Sequence, residues 1–598
     1  MKQFFKFLFA SCLGSALMLI VVTIVIISLI GSAVSNAANN TMKIKPKSVL
    51  YMDLSYDIPE RTNKNDLGLN LELSLSNVNI SNSDRAGMND ILNNIKAAAT
   101  DPNISGIFIE TSTMMTSTAN IQEIREQLIE FRKSGKFVIS YSDSYSQSAY
   151  YLATAGDKIY LTPSGMLDIH GMASQIMFYK HLFDKLDIEP QIIRGPNNKF
   201  KSAVEPYFLD KMSEANREQY DELLGSVWGQ ITEDISVARN IDITKINEFA
   251  DNLTLVFDDE TAYNNNFVDG LLYRDQIIDE LHKLTGSAAD DDINLIFNQQ
   301  YASSRPKTKA SSDKIAIVYA SGSIIDGEGD ESTIGSITLS KAIREAREDK
   351  NVKAIVMRVN SPGGSALASE VIRREVELAA NAKPFIVSMG NYAASGGYWI
   401  SADSDYIFAD ATTLTGSIGV FAMIPNLEGL FNDKIGITFD VVKTNENSDF
   451  GTVTQPLTPY QKEMLQQSVG KTYDKFTTLV ADSRKLRKSF VDSIGQGRVW
   501  SGIDAKELGL VDEIGGIEEA IAYAADKANI TDSYSIKEYP KTKSLYEELL
   551  LNSPYQEKYT KEIMKTTLGE TYPYLESIGK FSRLSGIYAL MPFNFHIE

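Results

Sequence analysis

The chain repeats itself. Ile104-Ser-Gly-Ile-Phe-Ile aligns with Val352-Lys-Ala-Ile-Val-Met at an offset of 248 residues, and at the same offset Gly171 meets Gly419. Ser146-Gln-Ser-Ala-Tyr-Tyr-Leu likewise meets Ala394-Ser-Gly-Gly-Tyr-Trp-Ile, and Lys158-Ile-Tyr meets Tyr406-Ile-Phe. Farther on the offset slips to 243, where Thr261-Ala-Tyr-Asn-Asn-Asn-Phe-Val-Asp-Gly meets Asp504-Ala-Lys-Glu-Leu-Gly-Leu-Val-Asp-Glu. Self-similarity of this kind means one folded module used twice. The expected units are 45–301 and 314–535, joined by a polar linker over 302–313. Residues 536–598, rich in Tyr and Lys, fit neither copy.

Within a unit the hydrophobic period alternates between that of strands and that of helices. Lys314-Ile-Ala-Ile-Val-Tyr-Ala is a β-branched run. Thr338 to Asp349 follows as an amphipathic helix with Leu339, Ala342, Ile343 and Ala346 on one face. Val352–Val359 is a second strand, 366–380 a second helix, 384–388 a third strand, and a third helix starts at Ala394. Alternation predicts an α/β class, with helices covering a largely parallel sheet.

Ahead of the units, Phe7 to Ile30 is 24 residues of almost unbroken apolar sequence. As a helix it spans roughly 36 Å, enough for a hydrocarbon core of about 30 Å. It exceeds the apolar core of a cleavable signal peptide, about 7–15 residues. Residues 1–44 are therefore expected to form a cytoplasmic N-terminus and a transmembrane anchor. Lys2 and Lys6 favour a cytoplasmic start, with the body on the far side. The 78 acidic against 58 basic residues leave a net charge of −20, which argues against a nucleic-acid partner. The only Cys, Cys12, lies in the apolar run and excludes an intrachain disulfide framework. There is no H-E-x-x-H and no phosphate-binding Walker loop, so no metal or nucleotide cofactor is called for.

Three small-residue segments of the second unit can carry chemistry. Asn360-Ser-Pro-Gly363-Gly364-Ser lies between a strand and a helix, where glycine N–H groups can turn toward an oxyanion. Tyr392-Ala-Ala-Ser395-Gly396-Gly-Tyr-Trp puts a serine at a helix start, flanked by Ala and Gly. Taken alone, Ser395 reads more readily as a plain N-cap than as a nucleophile. Thr415-Gly-Ser417-Ile-Gly reads alone as a turn between strands. Tyr392, Tyr398 and Trp399 suit core packing better than a substrate groove. A nucleophilic serine needs a base, and His170, His181, His282 and His596 are poorly placed for one. A buried lysine loses its charge easily and can serve instead. Lys201, in Phe200-Lys-Ser-Ala-Val-Glu-Pro between a strand and a helix expected near Met212, is the best placed.

As a set, these segments resemble the signal peptide peptidase A family of the long, two-repeat bacterial type. The strings that carry the resemblance are Phe200-Lys-Ser-Ala-Val-Glu-Pro, Glu260-Thr-Ala-Tyr-Asn-Asn-Asn, Asn360-Ser-Pro-Gly-Gly, Ala393-Ala-Ser-Gly-Gly-Tyr-Trp, Leu414-Thr-Gly-Ser-Ile-Gly and Gly497-Arg-Val-Trp. The resemblance implies two tandem repeats of the Clp protease/crotonase superfamily behind the anchor. It implies a Ser/Lys dyad, with Ser395 as nucleophile, Lys201 as base and Ser417 orienting the amine. Gly363, Gly364 and Gly396 fall where the oxyanion groups belong. The implied substrates are signal-peptide remnants and other apolar peptides. The implied setting is the bacterial inner membrane, crossed once, with the body in the periplasm as a homotetrameric bowl.

The repeat adds its own test of this reading. Ser395 corresponds to Gln147, and Gly363 and Gly364 to Met115 and Thr116. With Arg194 set against Lys443, an offset of 249, Lys201 corresponds to Phe450. Neither unit holds both members of a dyad, so the pair must bridge the halves. Two rivals stand beside a peptidase: an acyl-CoA enzyme of crotonase type and a non-catalytic membrane scaffold.

Overall fold

The computed structural model describes residues 44–62, 85–305, 311–330, 332–541 and 586–591, besides Gly14 and Met18. The expected anchor otherwise lies outside the described residues. Among those described, no helix is long and apolar enough to cross a membrane.

The two units fold on the same plan. In the first, a sheet runs Gly270–Leu271, Lys158–Leu167, Phe137–Tyr145, Ile104–Glu110, Ser48–Met52, Leu295–Phe297. In the second, the matching order is Glu513–Ile514, Tyr406–Ala409, Phe385–Ala394, Val352–Ser361, Lys314–Ser321, Ser535–Tyr539. Every one of these pairings is parallel. Strands buried on both faces by helices read as near-continuous apolar runs, and Val352 to Val359 does so but for Lys353, which is exposed, and Arg358, which is buried. The last strand, Ser535–Tyr539, runs across the expected boundary at 535, and the expected linker begins inside helix Asn298–Ser304. Boundaries drift because an edge strand carries little periodic signal.

A second, smaller sheet stitches the units together. Strand Glu189–Arg194 leaves the first unit and pairs antiparallel with Phe421–Asn426 of the second. Deeper in, Arg358 is enclosed between the units. Its Nε donates to Glu60 at 2.8 Å, and its two terminal nitrogens to Glu123 at 2.6 Å and Ser388 at 2.9 Å. Each group loses its water there, and the pairing compensates only while all partners stay.

Candidate active site

The strand Phe385–Ala394 ends where the helix Gly396–Ser401 begins, and Ser395 makes the corner. Its backbone stands at φ 55°, ψ −110°, and its side chain makes no capping bond. An N-cap residue has extended backbone and accepts from the helix's first turn; Ser395 does neither. Holding a non-glycine residue there costs on the order of 1–3 kcal/mol, a strain typical of functional corners. The corner is fixed by the Ser395 N–H donating to Gly416 O at 2.8 Å. Two glycines follow, and neither has room for a side chain: a Cβ at Gly397 would meet Ser361 O at 2.6 Å.

Lys201 arrives from the first unit. The crossing strand Glu189–Arg194 carries the chain to it, and a short turn, Ser202–Val204, with the helix Glu205–Phe208 follows at once. The helix expected near Met212 begins at Glu214; the intervening turn is too short to show a period. Lys201 is 1% exposed, Ser395 and Ser417 not at all. Lys201 Nζ lies 2.9 Å from Ser395 Oγ, 2.9 Å from Ser417 Oγ and 3.2 Å from the Ser417 carbonyl. Burial alone pulls the amine well below the usual lysine pKa. A neutral amine has two N–H donors and one lone pair. The two Ser417 oxygens can take the donors, which leaves the lone pair facing the Ser395 hydroxyl. Ser417, read in isolation as a turn, follows a short strand, Leu414–Gly416, and its hydroxyl also donates to Gly497 O at 3.3 Å.

The seat of the lysine was not visible in the sequence. A Cβ at Gly497 would lie 2.5 Å from Lys201 Cβ, and one at Gly419 would lie 3.2 Å from Lys201 Cδ. The segment around Gly497 straps the two units over the dyad. Ser417 N–H donates to Arg498 O at 2.7 Å, Gly497 N–H to Ile418 O at 2.9 Å, and Phe200 N–H to Gln496 O at 3.1 Å. The Arg498 guanidinium is layered between Phe200 and Trp500, 4.6 and 4.3 Å from the ring centres. Gln219, 1% exposed, accepts from Val499 N–H at 2.8 Å. The string Gly497-Arg-Val-Trp was the only sign of this strap.

The three expected oxyanion glycines separate. The Gly363 N–H donates to Ser361 Oγ at 3.1 Å and so is already committed. Position 363 supplies space instead: a Cβ there would meet Ala589 O at 2.1 Å and Gly396 N at 2.6 Å. The Gly396 N–H heads a helix, where first-turn donors have no intrahelical partner. Gly364 lies opposite Ala589 in an antiparallel pairing.

The remaining candidates lie elsewhere. Tyr398 and Trp399 are core residues, at 0% and 1% exposure. Trp399 packs on Phe476 at 4.5 Å and the Tyr398 hydroxyl donates to Leu510 O at 2.8 Å. His170 pairs with Asp168 at 2.7 Å, His282 with Ser287 at 2.9 Å, and His181 sits on an exposed helix. His596 lies outside the described residues.

Known proteins bear on this geometry. The pattern of Peptidase family S49 matches residues 130–287 and 377–531, one stretch in each unit. Protease 4 of Salmonella typhi is 40% identical over 450 residues, covering 74% of this chain and 72% of that protein. Protease 4 of Haemophilus influenzae is 38% identical over 461 residues, 75% of this chain and 74% of the relative. The chloroplastic serine protease SPPA of Arabidopsis thaliana is 33% identical over 445 residues, 73% and 65% of the two chains.

Proposed function

The chain belongs to Peptidase family S49 and is a serine peptidase, and from that premise we propose that Ser395 is its nucleophile and Lys201 its general base. The carrying observation is the 2.9 Å approach of Lys201 Nζ to Ser395 Oγ in a buried place. Neutral Lys201 takes the Ser395 proton as Oγ attacks a peptide carbonyl. Ser417 aims the amine. The Gly364 and Gly396 N–H groups receive the oxyanion, in a site where fixed donors act without solvent screening. Lys201 then protonates the departing amine, and water releases the acyl group. A serine-reactive fluorophosphonate tests the assignment. Adduct mapped to Ser395, absent in Lys201→Ala, is the expected result; labelling elsewhere, or none, contradicts it.

The same reading places the enzyme at the inner membrane, held by residues 7–30, with its body in the periplasm and signal-peptide remnants as substrates. The apolar run and Lys2/Lys6 support this placement, and an anchored peptidase searches the surface where apolar remnants reside. Alkaline-carbonate extraction tests it: the full chain should stay in the membrane pellet and a chain lacking residues 1–31 should not.

The repeat also supports assembly into a closed ring, with the family's four copies. Glu189–Arg194 of the first unit is paired with Phe421–Asn426. Its counterpart in the second unit, 438–443, is in no strand, and Phe439, Val441 and Val442 are 48%, 45% and 96% exposed. The counterpart of Phe421–Asn426 is 173–178, also in no strand. Joining these two edges between neighbouring copies repeats the pairing already made within the chain. Val441→Asp should lower the native mass; an unchanged mass contradicts this edge.

A further inference from the structure

Arg498 touches both supports of the lysine amine, one with its backbone and one with its side chain. Its carbonyl accepts the Ser417 N–H at 2.7 Å, and Ser417 is the residue that orients Lys201 Nζ. Its guanidinium lies between the rings of Phe200 and Trp500, and Phe200 is the residue before Lys201. Trp500 backs this layer firmly. Its indole N–H donates to Ile494 O at 3.0 Å, and Gly416 makes room for it, since a Cβ there would meet Trp500 Cδ1 at 2.9 Å.

The charges around Arg498 come from both units. Arg498 contacts Glu222 and lies 3.6 Å from Glu218, both on the helix Glu214–Arg239. Lys199 reaches Glu218 at 3.0 Å and stands 4.5 Å from the Phe200 ring centre. Asp504, on the helix Gly502–Glu507, attracts Arg498 as well. The Glu218 and Glu222 side chains are 41% and 57% exposed, so these ion pairs hold little by themselves. The two rings hold the guanidinium, and a flat delocalised cation suits that slot as an ammonium does not.

The first unit shows that the module itself does not require this layer. At the offset of 243, Val256 meets Val499, and the helix-capping Asp258 meets the helix-capping Ser501. Arg498 then corresponds to Leu255, which is wholly buried, and Trp500 to Phe257, which is 82% exposed. Where there is no lysine to seat, an ordinary leucine fills the place and the ring is left outside.

We propose that Arg498 is a positioning residue for the base: layered on Phe200, it keeps water from Lys201 and holds the amine between Ser395 and Ser417. This inference rests on the Ser395/Lys201 reading above. Arg498 acts through Phe200 and Ser417 and is not itself a reacting group. Without the guanidinium the Phe200 ring loses its backing, water reaches the amine, and the charged form of Lys201 is solvated again.

The pH dependence of Ser395 acylation by a fluorophosphonate, measured on the full-length protein, tests this. Arg498→Gln should move the acid-side midpoint upward by about 1 pH unit and lower the plateau rate by about 10-fold. Arg498→Lys should do nearly the same, because charge alone does not restore the layer. Phe200→Leu should also raise the midpoint, and adding it to Arg498→Gln should change little more, since both act on one contact. Partial unfolding would lower the amount labelled without moving the midpoint. A wild-type midpoint in Arg498→Gln or in Arg498→Lys overturns the proposal, as do shifts that add in the double variant. Should Arg498→Gln not fold, Trp500→Leu removes the opposite ring and should raise the midpoint too; an unmoved midpoint there overturns the proposal. Failure of the underlying dyad looks different: Ser395 would go unlabelled in the wild type, or Lys201→Ala would label as fast as wild type.

Discussion

At the place where the second unit carries Ser395 the first carries Gln147, and the two side chains reach for equivalent carbonyls. Ser395 Oγ lies 3.3 Å from Gly419 O, and Gln147 Nε2 donates to Gly171 O at 3.0 Å. Gln147 Oε1 also accepts from the His170 and Gly171 N–H groups at 3.1 and 3.0 Å. The amide thus seals with hydrogen bonds a corner that the serine leaves open for chemistry. The backbone agrees. The first-unit helix Gln147–Ala153 starts on Ser146, at φ −68°, ψ 160°, with its side chain capping Ala149 N. The second starts on a strained Ser395 with no cap. Ser417 is matched by Ile169 and Lys201 by Phe450, which is 49% exposed. One unit carries the buried lysine and has a relaxed corner at Gln147; the other carries the strained serine. The strained serine and the buried amine come together where the halves meet.

The largest effect should come from emptying either contribution. Ser395→Ala and Lys201→Ala should each lower peptidase turnover by at least ~1000-fold. Mixing the two inactive proteins should not restore activity, because the Lys201–Ser395 contact forms within one chain. Recovery on mixing would mean that active pairs form between copies. Next is the strap. Gly497→Ala places a methyl group against Lys201 Cβ and should cut kcat by about 100-fold; the thermal midpoint should fall too, because position 497 stands at φ +86° and the added Cβ also meets Lys201 Cα at 2.6 Å. Activity and melting measured on the same sample separate the two. Arg358→Leu strands Glu60 and Glu123 between the units and should destabilise by about 3–5 kcal/mol in denaturant melts. Loss of less than about 1 kcal/mol would show that the Arg358 cluster adds little to the joining of the halves. Smallest is Gln147→Ser, which puts a serine where the first unit has lost one. Fluorophosphonate labelling should stay at one per chain, because neither a lysine nor the glycine pair is there to serve it. A second labelled site would mean that the two corners differ only in the residue at 147.

How much of this was legible follows from the kind of signal each residue leaves. The α/β class and the repeat were plain because strands buried on both faces read as near-continuous apolar runs and the module occurs twice. Ser395 was findable because a strained corner tolerates only small neighbours. Lys201 stood out through the poor placement of the four histidines and the family strings, not through its own surroundings. A lysine in a polar loop looks the same exposed or buried. The roles of Gly363 and Gly497 were hidden, since what excludes a Cβ there comes from distant segments: Ala589 for one and Lys201 for the other. The C-terminal segment left no trace because five residues of strand without a periodic context carry almost no information. Tyr398 and Trp399 read correctly as core, since their helix is enclosed on every face.

The central claim is that an uncharged lysine from one unit activates a serine of the other, and the pH dependence of Ser395 acylation tests it most directly. Only the neutral amine accepts the serine proton, and burial lowers its pKa. The fluorophosphonate rate should therefore fall on acidification through a single ionisation and be level well before the ordinary lysine range. Lys201→Met should be acylated at least ~100-fold more slowly across the whole range. A rate that keeps rising up to the ordinary lysine pKa, or a Lys201→Met protein labelled as fast as wild type, would contradict the account.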